Sequence, residues 1–478
     1  MAAIADMALL ESFQDLPSAS LQAIVLVFVL VYFLHELVIY PFYTSPLANV
    51  PGPKLYAITK WRMVWTDFTK QRTKTIHEMH QKYGNVVRIG PNDLHFSGDE
   101  PMRIIYGAGT VFSKPAFYNL FSAYGVRPMF AMIGNRDHGE RRKTISNTYA
   151  KSYILSPSVE RLLQDKVTDF MNRVHGTIDV VTEFHLLGLD IITAHVYGPV
   201  GTKALKRKDG NETLLNDFIG PKSTFMWSLV HFPDISEMVC APGVLNTIAK
   251  QLRIVRKTSL PYSTMRQFCY DNTIRYLKEC VGSENTSVMS KMLKYHVSQG
   301  GDWSDAELAA EAGDHSIAGS DTTSETLTYL VWQISRPEYQ HIQSKLQKEL
   351  NTITFTNGVA KLRAVDKLPY LNSIINEALR VYPAIPMSEP RVILEPGKEV
   401  SIYGVRIPPG TICSMQPYTE NRIPEVFPDP DKFDPNRWMI SKDSEHYRAM
   451  NRMMWSFSSG GRGCIGLQYV LLPGKCLT

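Results

Sequence analysis

The chain has 478 residues, of which 44% are hydrophobic and 20% are charged, an ordinary globular composition with material for one large domain or two small ones. The formal net charge of +5 is mild and indicates no nucleic-acid partner. Six cysteines without any Cys-x-x-Cys pair argue against a structural zinc site and indicate a reducing compartment.

An apolar segment near the N-terminus predicts a membrane anchor. Ala23–Leu34 is unbroken, and after one polar pair the apolar character continues to Tyr40. A span of about 20 residues at 1.5 Å each is enough to cross a bilayer. We therefore expect an N-terminal stretch over residues 1–20 and a transmembrane helix over residues 21–40.

The charges that flank this segment predict its orientation. Three acidic residues and no Lys or Arg precede it, whereas four basic residues between positions 54 and 70 follow it. The positive-inside rule then leaves the N-terminus lumenal and the body of the protein cytosolic. A cleaved signal peptide is the alternative, but no basic region precedes the apolar run.

Two prolines mark the connector to the rest of the chain. Pro51-Gly52-Pro53 predicts a stiff, bent, non-helical segment suited to setting the tilt of a domain on a membrane, with a plain linker as the alternative. We assign residues 41–53 to this hinge and residues 54–478 to one domain.

The first elements of the domain are a helix, a hairpin and a loop. Trp61–Gln81 is predicted to be one helix that ends at Gly84. Val86–Ile89 and Leu94–Phe96 flank a Gly-Pro-Asn turn and predict a β-hairpin. Residues 106–128 mix aromatics and glycines without a period, which predicts a long loop.

A basic segment opens the next predicted helix. His138 and Arg142 lie four residues apart within residues 137–143, so they share one helical face. A solvated helix start is the alternative. Val159–Val174 and Val180–Val196 are predicted to form the helices that follow.

A long helix is predicted in the second half of the chain. Ser304 and Glu307 form a capping box, and helical character persists to Ser335 before Arg336-Pro337 ends it. About 30 residues at 1.5 Å each give a rod of roughly 45 Å, long enough to cross a whole domain.

Small and polar residues interrupt this rod at Ala318-Gly319-Ser320-Asp321-Thr322-Thr323. Gly319 lets a flat cofactor or O₂ approach the backbone, and Thr322 is expected to bond back to the carbonyl of Ala318 and loosen the helix. Asp321 adds a titratable group that relays protons. A tolerated glycine on an ordinary polar helix is the alternative.

The region after the rod contains a further helix and short strands. Glu377 and Arg380 lie three residues apart and are able to pair, with an ordinary surface ion pair as the alternative. Ile385 and Pro386 are candidates for pocket lining. The predicted short antiparallel strands are Val400–Ile402, Val405–Ile407 and Thr411–Met415.

The most specific pattern is Phe457-Ser-Ser-Gly460-Gly-Arg462-Gly-Cys464-Ile-Gly466. Its glycines let the backbone bend sharply and approach a flat cofactor. Backbone N–H groups are then expected to point at the Cys464 sulfur and temper its charge, while Arg462 holds an anionic group of the same ligand. An inert, buried cysteine beside a turn is the alternative.

This loop resembles the Phe-x-x-Gly-x-Arg-x-Cys-x-Gly loop of the cytochrome P-450 haem-thiolate monooxygenases at every fixed position. The segments around His138, Asp321 and Glu377 follow that family's order and spacing. The resemblance implies the P-450 fold, which is mainly α with small β-sheets (α+β), behind an N-terminal transmembrane helix. It also implies haem b as cofactor.

The resemblance implies a role for each residue at a matching position. Cys464, in the loop that Phe457 opens, is the axial ligand of the haem iron. The side chains implied at the haem propionates are Arg142, Arg391, Arg462 and His138, which stands where many members carry Trp. Gly319 borders the cofactor, and Asp321 and Thr322 are the catalytic residues that deliver protons to dioxygen. Glu377, Arg380 and Arg437 form a buried structural network.

The implied function is a membrane-anchored monooxygenase that oxidises a small apolar substrate with O₂ and electrons from an NADPH-dependent flavoprotein reductase. Arg141, Lys143 and Arg452 are candidates for docking an acidic reductase, with solvated surface charge as the alternative. The hairpin and the proline-punctuated stretch Pro424–Pro435 resemble those of filamentous-fungal microsomal members. A secondary-metabolite substrate is therefore expected.

The resemblance breaks after Cys464, where fourteen residues remain and family members continue into a long helix and further strands. Leu467–Leu472 is predicted to form under two turns. A truncated gene end and a natural shortened form are both open. Two other functions are also open. The first is a non-catalytic or unstable haem protein. The second is haem-thiolate isomerisation or dehydration without a reductase, and the intact Asp321-Thr322 pair argues against this second function.

Overall fold

Helices dominate the structure, as the sequence predicts. The computed structural model describes residues 18–206, 210–219, 263–282, 286–298, 303–356 and 359–469. The α-helices there are α1 Ser18–Leu34, α2 Lys54–Ile58, α3 Trp61–Phe68, α4 Arg72–Tyr83, α5 Asp99–Tyr106, α6 Asn135–Ile145, α7 Lys151–Ile154, α8 Pro157–Met171, α9 Val180–Tyr197, α10 Ser263–Glu279, α11 Val288–Ser298, α12 Asp305–Ser335, α13 Gln340–Leu350, α14 Leu362–Val365, α15 Pro369–Val381, α16 Pro417–Glu420 and α17 Glu445–Met453.

Short strands complete the fold. They are β1 Val86–Gly90, β2 Asp93–Phe96, β3 Phe112–Ser113, β4 Phe355–Thr356, β5 Val359–Ala360, β6 Arg391–Ile393, β7 Val400–Ile402, β8 Val405–Ile407 and β9 Ile412–Ser414. Short 3₁₀ turns connect several elements, among them Ala116–Phe121 and Pro435–Trp438.

The rod α12 is the element against which the helical layer packs. Its capping box is complete, because the Glu307 N–H donates to Ser304 Oγ at 3.3 Å and the Ser304 N–H donates to Glu307 Oε2 at 3.0 Å. Helices α9 and α10 pack along it, and their buried side chains form the largest described hydrophobic cluster. The predicted rod and its predicted ends are confirmed.

The predicted helix Trp61–Gln81 is two helices, which corrects the sequence interpretation. The chain turns at Lys70, whose φ of 59° lies in the left-handed region. Arg72 Nη1 then bridges back to the buried Asp67 carboxylate at 2.9 Å. Residues 69–75 are all polar, so the apolar pattern is interrupted at this turn, and the sequence interpretation overlooked that interruption. Gly84 ends α4 with φ of 91°, as predicted.

The larger sheet has the strand order β1-β2-β9-β6-β3. The predicted hairpin of β1 and β2 is confirmed, as is the β7–β8 hairpin. The third predicted strand, β9, does not pair with β7 or β8. It belongs to the larger sheet, where it runs parallel to β2 and antiparallel to β6. Pairing partners distant in sequence cannot be deduced from local alternation.

The N-terminal helix extends beyond its predicted end. Over Gln22–Thr44 it is long and apolar enough to cross a membrane, and none of its most apolar window is buried. It continues after α1 as a π-helix to Thr44, through Pro41, so the first residues of the predicted hinge are helical. The wider winding of a π-helix accommodates a proline that an α-helix interior would not.

The rest of the predicted hinge is held against the first sheet by one arginine. Arg88 Nη1 donates to the carbonyls of Pro41 at 2.7 Å and Leu47 at 3.2 Å, and Nη2 donates to that of Pro91 at 2.7 Å. Buried arginine paired with carbonyls fixes the connector in place. Whether residues 41–53 act as a hinge stays a prediction.

Two buried histidines, His80 on α4 and His95 on β2, predict that acid destabilises the folded state. His80 Nδ1 donates to the Gly84 carbonyl at 2.8 Å. Because the hydrogen of neutral His80 then lies on Nδ1, its Nε2 is an acceptor, and His95 Nδ1 donates to it at 2.7 Å. Burial lowers the pKa of His80 to about 4 and that of His95 well below its usual value. Since the folded pKa lies below 6.5, the folded state loses stability as pH falls from 6.5 toward 4, by about 3 kcal/mol for His80.

The apparent melting temperature measured against pH tests this expectation. A His80→Gln, His95→Gln double variant should lose much of the decline between pH 6.5 and 4. His175→Gln, which alters an exposed histidine, is the control and should keep the full decline. An unchanged acid profile in the double variant would contradict the assignment.

Candidate functional site

A cavity of about 930 Å³ lies between α12, the segment 114–130 and the cysteine loop. Aromatic side chains of that segment form one wall, and Ile385 and Pro386 contribute to another, as predicted. The cavity brings together every side chain predicted for cofactor binding or catalysis: His138, Arg142, Gly319, Asp321, Thr322, Arg391, Phe457, Arg462 and Cys464.

The Cys464 thiol faces this cavity from inside a tightly bent loop. The Cys464 side chain is exposed and lines the cavity. The backbone bends at Gly460, whose φ is 62° and where a Cβ would lie 1.9 Å from the Tyr106 carbonyl oxygen, so only glycine fits. The Cys464 N–H then donates to the Phe457 carbonyl at 2.9 Å.

Two opposing influences act on this sulfur. The pKa of the Cys464 thiol is raised above its usual value, because burial outweighs the backbone N–H groups of Gly466 and Leu467 and the charge of Arg142, which lower it. The amide donors are those that the glycine-rich sequence predicts. A thiolate held by N–H groups at the wall of a cavity is suited to ligate a metal.

Four basic residues lie close together at one end of the cavity. Lys114, Arg142, Arg391 and Arg462 all line it. Burial and then the nearby Arg391 and Arg462 guanidinium groups hold the pKa of Lys114 well below its usual range. Burial and Arg391 likewise lower the pKa of Arg462 to about 10.

Acidic groups offset this charge only in part. Among the described residues that line the cavity, Glu389 and Asp314 lie near these cations. An excess of buried cations stabilises an anionic ligand. The thiol, the glycine-bent loop and this charge together fit haem b, whose two carboxylates match the excess.

The contacts of the predicted carboxylate-binding residues differ in kind. Burial, followed by the charges of Arg462 and Lys114, lowers the pKa of His138 to about 3, so His138 offers a neutral N–H donor. Arg391 Nη1 donates to the Tyr118 hydroxyl at 3.0 Å, and its Nη2 pairs with Glu389 at 3.3 Å.

Arg142 and Arg462 are also engaged with the chain itself. Arg142 Nη1 donates to the Gly463 carbonyl at 2.7 Å. Arg462 donates to the carbonyls of Met132 at 2.6 Å and of Ile133 and Gly134 at 2.8 Å. These bonds join α6 and its preceding turn to the cysteine loop. Their role toward a bound carboxylate stays a prediction.

Sequence reasoning missed Lys114 and Tyr118. Lys114 is buried beneath two rings, with its Nζ 4.1 Å from the centroid of Tyr118 and 3.9 Å from that of Phe130. Both residues fall in the stretch 106–128, which was predicted to be a loop and contains the 3₁₀ turn Ala116–Phe121. A single lysine in an aperiodic segment carries no local signal of burial.

The polar interruption of α12 faces the cavity. Thr322 Oγ1 donates to the Ala318 carbonyl at 2.8 Å, which confirms the predicted back-bond. The Asp321 carboxyl is 34% exposed, toward the cavity that it lines. A carboxyl and a hydroxyl of α12 therefore line the same cavity as the Cys464 thiol.

The packing of α12 against α9 also favours glycine at position 319. A Cβ there would lie 2.6 Å from Ile192 Cδ1 of α9. On the other helix, a Cβ at Gly188 would lie 2.4 Å from Ser324 Oγ and 2.9 Å from the Ser320 carbonyl. The two glycines allow close contact of α9 with α12. The sequence prediction explained Gly319 only by access to the cofactor.

The network around Glu377 is buried and separate from the cavity lining, as predicted. Arg380 donates to both Glu377 oxygens, at 2.9 and 2.8 Å, and Arg437 Nε donates at 2.9 Å. The Trp438 indole N–H and the Asp434 backbone N–H add further bonds at 2.9 Å. These bonds tie α15 to the irregular stretch that precedes the cysteine loop.

Comparison with known proteins agrees with this geometry. The cytochrome P450 family model matches residues 50–469, and the chain belongs to this family. It therefore has the P450 fold and is a monooxygenase that uses haem b, O₂ and electrons from NADPH supplied through a reductase.

Its similar relatives are fungal proteins. The cytochrome P450 monooxygenase stcB of Emericella nidulans is 29% identical over 441 residues, covering 89% of this chain and 79% of the relative. The monooxygenase tazI of Aspergillus terreus is 30% identical over 458 residues, covering 92% and 87%. The monooxygenase pbrB of Penicillium brasilianum is 28% identical over 452 residues, covering 90% and 84%.

Proposed function

We propose that this monooxygenase is anchored in the endoplasmic reticulum membrane with its catalytic domain in the cytosol, and that it oxidises a small apolar substrate of fungal secondary metabolism. The observation that supports the proposal is the single cavity that Cys464, Asp321 and Thr322 all line. Its aromatic and aliphatic walls suit an apolar substrate. The fungal relatives support the pathway class.

Cys464 would hold haem b through its sulfur, and the bound haem would supply oxygen activation. The chain's own residues do the rest. Gly466 and Leu467 hold the charge of the sulfur through their N–H groups. Apolar walls exclude water beside the reacting carbon. Asp321 brings a proton to the cavity, and Thr322 Oγ, whose hydrogen lies on the Ala318 carbonyl, accepts a hydrogen bond from water there.

Two substitutions test this proton delivery. With the reductase and NADPH, Asp321→Asn and Thr322→Val should each lower product formed per NADPH, and the rate of product formation should fall about 100-fold for Asp321→Asn, since positioned proton transfer contributes roughly 10²–10⁴-fold. Thr328→Val removes a similar back-bond, 2.8 Å to the Ser324 carbonyl, outside the cavity. Equal losses in all three variants would contradict the proposal.

The reductase is proposed to dock on the face near the thiolate loop. Arg141, a predicted docking cation, is excluded from this role because it is 12% exposed. It pairs with Glu307 and Glu311 at 3.5 Å and stacks 3.9 Å from the Trp303 ring centroid. Lys143 and Arg452 are exposed, each in a surface ion pair, and they stay candidates.

An aromatic patch supports contact with the bilayer beyond the anchor helix. Trp61, Trp65 and Phe68 on α3 are each more than half exposed. Through α2, this helix adjoins the end of the anchor. Exposed Trp and Phe side by side are typical of membrane interfaces.

Replacing the three aromatics with serine should weaken vesicle binding. For protein without residues 1–40, we expect partitioning into phospholipid vesicles to fall at least tenfold, equivalent to about 1.4 kcal/mol. The control replaces Met171 and Val297, which are exposed apolar residues elsewhere. Equal partitioning of the two variants would contradict the proposed contact.

A further inference from the structure

A buried histidine on α9 contacts the catalytic wall from behind. His185 is 1% exposed, and its Nε2 lies 3.5 Å from Asp321 Oδ1. Its other ring nitrogen is 2.7 Å from the Val181 carbonyl oxygen, so Nδ1 carries a hydrogen and the ring orientation is held. The distance to Asp321 is that of an ion pair and is too long for a strong hydrogen bond.

The geometry favours a proton at this contact. Both partners of the ring, a carbonyl and a carboxylate, are acceptors. A neutral imidazole with its hydrogen on Nδ1 would turn the Nε2 lone pair toward the Asp321 oxygens, which is repulsive. An imidazolium, which carries a hydrogen on each ring nitrogen, removes this repulsion and places one proton between Nε2 and Oδ1.

The charged surroundings favour the imidazolium. Asp321 and Glu325 on α12 and Asp179 before α9 are the described charged groups that interact with His185, and the Phe218 ring packs 6.3 Å away. Burial alone would lower the pKa of His185, but the hydrogen bonding and charge of Asp321 outweigh it and raise the pKa above its usual value. Burial and then Asp321 also raise the pKa of Glu325.

We propose that His185 is a positioning residue that shares a proton with Asp321 and holds its carboxyl toward the cavity. The inference rests on the proposed function, because the role of Asp321 in proton delivery is itself proposed. His185 does not line the cavity, so it acts only through Asp321. While the shared proton lies on Nε2, the imidazolium stabilises the Asp321 carboxylate. When that proton passes through Oδ1 to water in the cavity, His185 is left neutral with its hydrogen on Nδ1.

The contact is tested first without turnover. In ferric protein labelled with ¹³C at histidine, the His185 resonance is assigned by its loss in His185→Gln, and its pH midpoint is measured. We expect a midpoint above 6.5 in the wild-type protein and below 6.5 in Asp321→Asn, where burial acts unopposed. A midpoint that Asp321→Asn leaves in place would overturn the proposal.

Coupling efficiency tests the consequence. His185→Gln and His185→Phe should lower product per NADPH severalfold and flatten its pH dependence, with the carbon monoxide spectrum unchanged. The double variant His185→Gln, Asp321→Asn should be no worse than Asp321→Asn alone, since residues that act as a unit are not additive. Additive losses would overturn the proposal.

A matched control lies on the same helix. His195 is equally buried, at 2% exposed, but it packs on Tyr149 and Tyr469. His195→Gln should keep wild-type coupling, and an equal loss there would reduce His185 to a structural role. If Asp321→Asn leaves the product formed per NADPH unchanged, the proposed proton delivery by Asp321 is wrong. The pH midpoint of the His185 resonance still decides whether His185 and Asp321 share a proton. If the His185→Phe variant does not fold, the Asp321→Asn midpoint still decides it.

Discussion

Cys464→Ser is expected to abolish turnover and to remove the red-shifted Soret band that reduced, thiolate-ligated haem shows under carbon monoxide. Serine retains the size of the side chain, but its hydroxyl is not ionised at neutral pH and does not supply a thiolate. The amide groups of Gly466 and Leu467 then have no anion to stabilise. Reduced carbon monoxide spectra and product assays with the reductase measure both effects.

The control for this substitution is Cys413→Ser. Cys413 is fully buried on β9, where it packs in the sheet core outside the cavity lining. It should lower stability and leave the band of the folded fraction in place. A thiolate band that survives in Cys464→Ser would contradict the assignment of the axial ligand.

Glu377→Gln is expected to prevent accumulation of the haem-loaded protein. Arg380 and Glu377 are both 0% exposed, and Arg437 is 9% exposed. The variant leaves two buried guanidinium groups without a carboxylate. Breaking a buried ion pair costs about 3–5 kcal/mol, a large part of a typical net stability of about 5–15 kcal/mol. Denaturant unfolding and the yield of haem-loaded protein measure this loss.

The exposed pair of Arg406 and Glu399 provides the control. It has the same two-bond geometry, at 2.5 and 2.6 Å, but it lies in solvent. Glu399→Gln should change stability by about 0.2–1 kcal/mol. If Glu377→Gln and Glu399→Gln lower the free energy of unfolding by similar amounts, burial does not determine how much the Glu377 network contributes to stability.

Local patterns were enough to predict much of the fold and the site. The capping box of Ser304 and Glu307, the back-bond of Thr322 and the amide donors at Cys464 all arise from residues within a few positions of one another. Their geometry follows from backbone conformation and side-chain type. Residues such as Glu377 and Arg437 were paired through family resemblance, and the structure brings them together.

Other features depend on contacts between distant segments. The left-handed turn at Lys70 lies in a polar stretch, residues 69–75, which by itself does not distinguish a turn from a solvated helical segment. Arg141 looks like a surface cation in the sequence, yet α6 places it against Trp303 and two carboxylates of α12. Lys114 becomes part of the cofactor end of the cavity only because its segment folds beneath the rings of Tyr118 and Phe130.

The sequence by itself determined the chemistry of this protein, because a thiol in a glycine-rich turn and a carboxyl-hydroxyl pair on a helix are local arrangements. The tertiary structure alone decided which charges are buried and which groups adjust them. Burial and pKa depend on every element packed around a group, as His185 shows by reaching Asp321 from another helix. Such effects are set by three-dimensional proximity, which spacing along the chain does not encode.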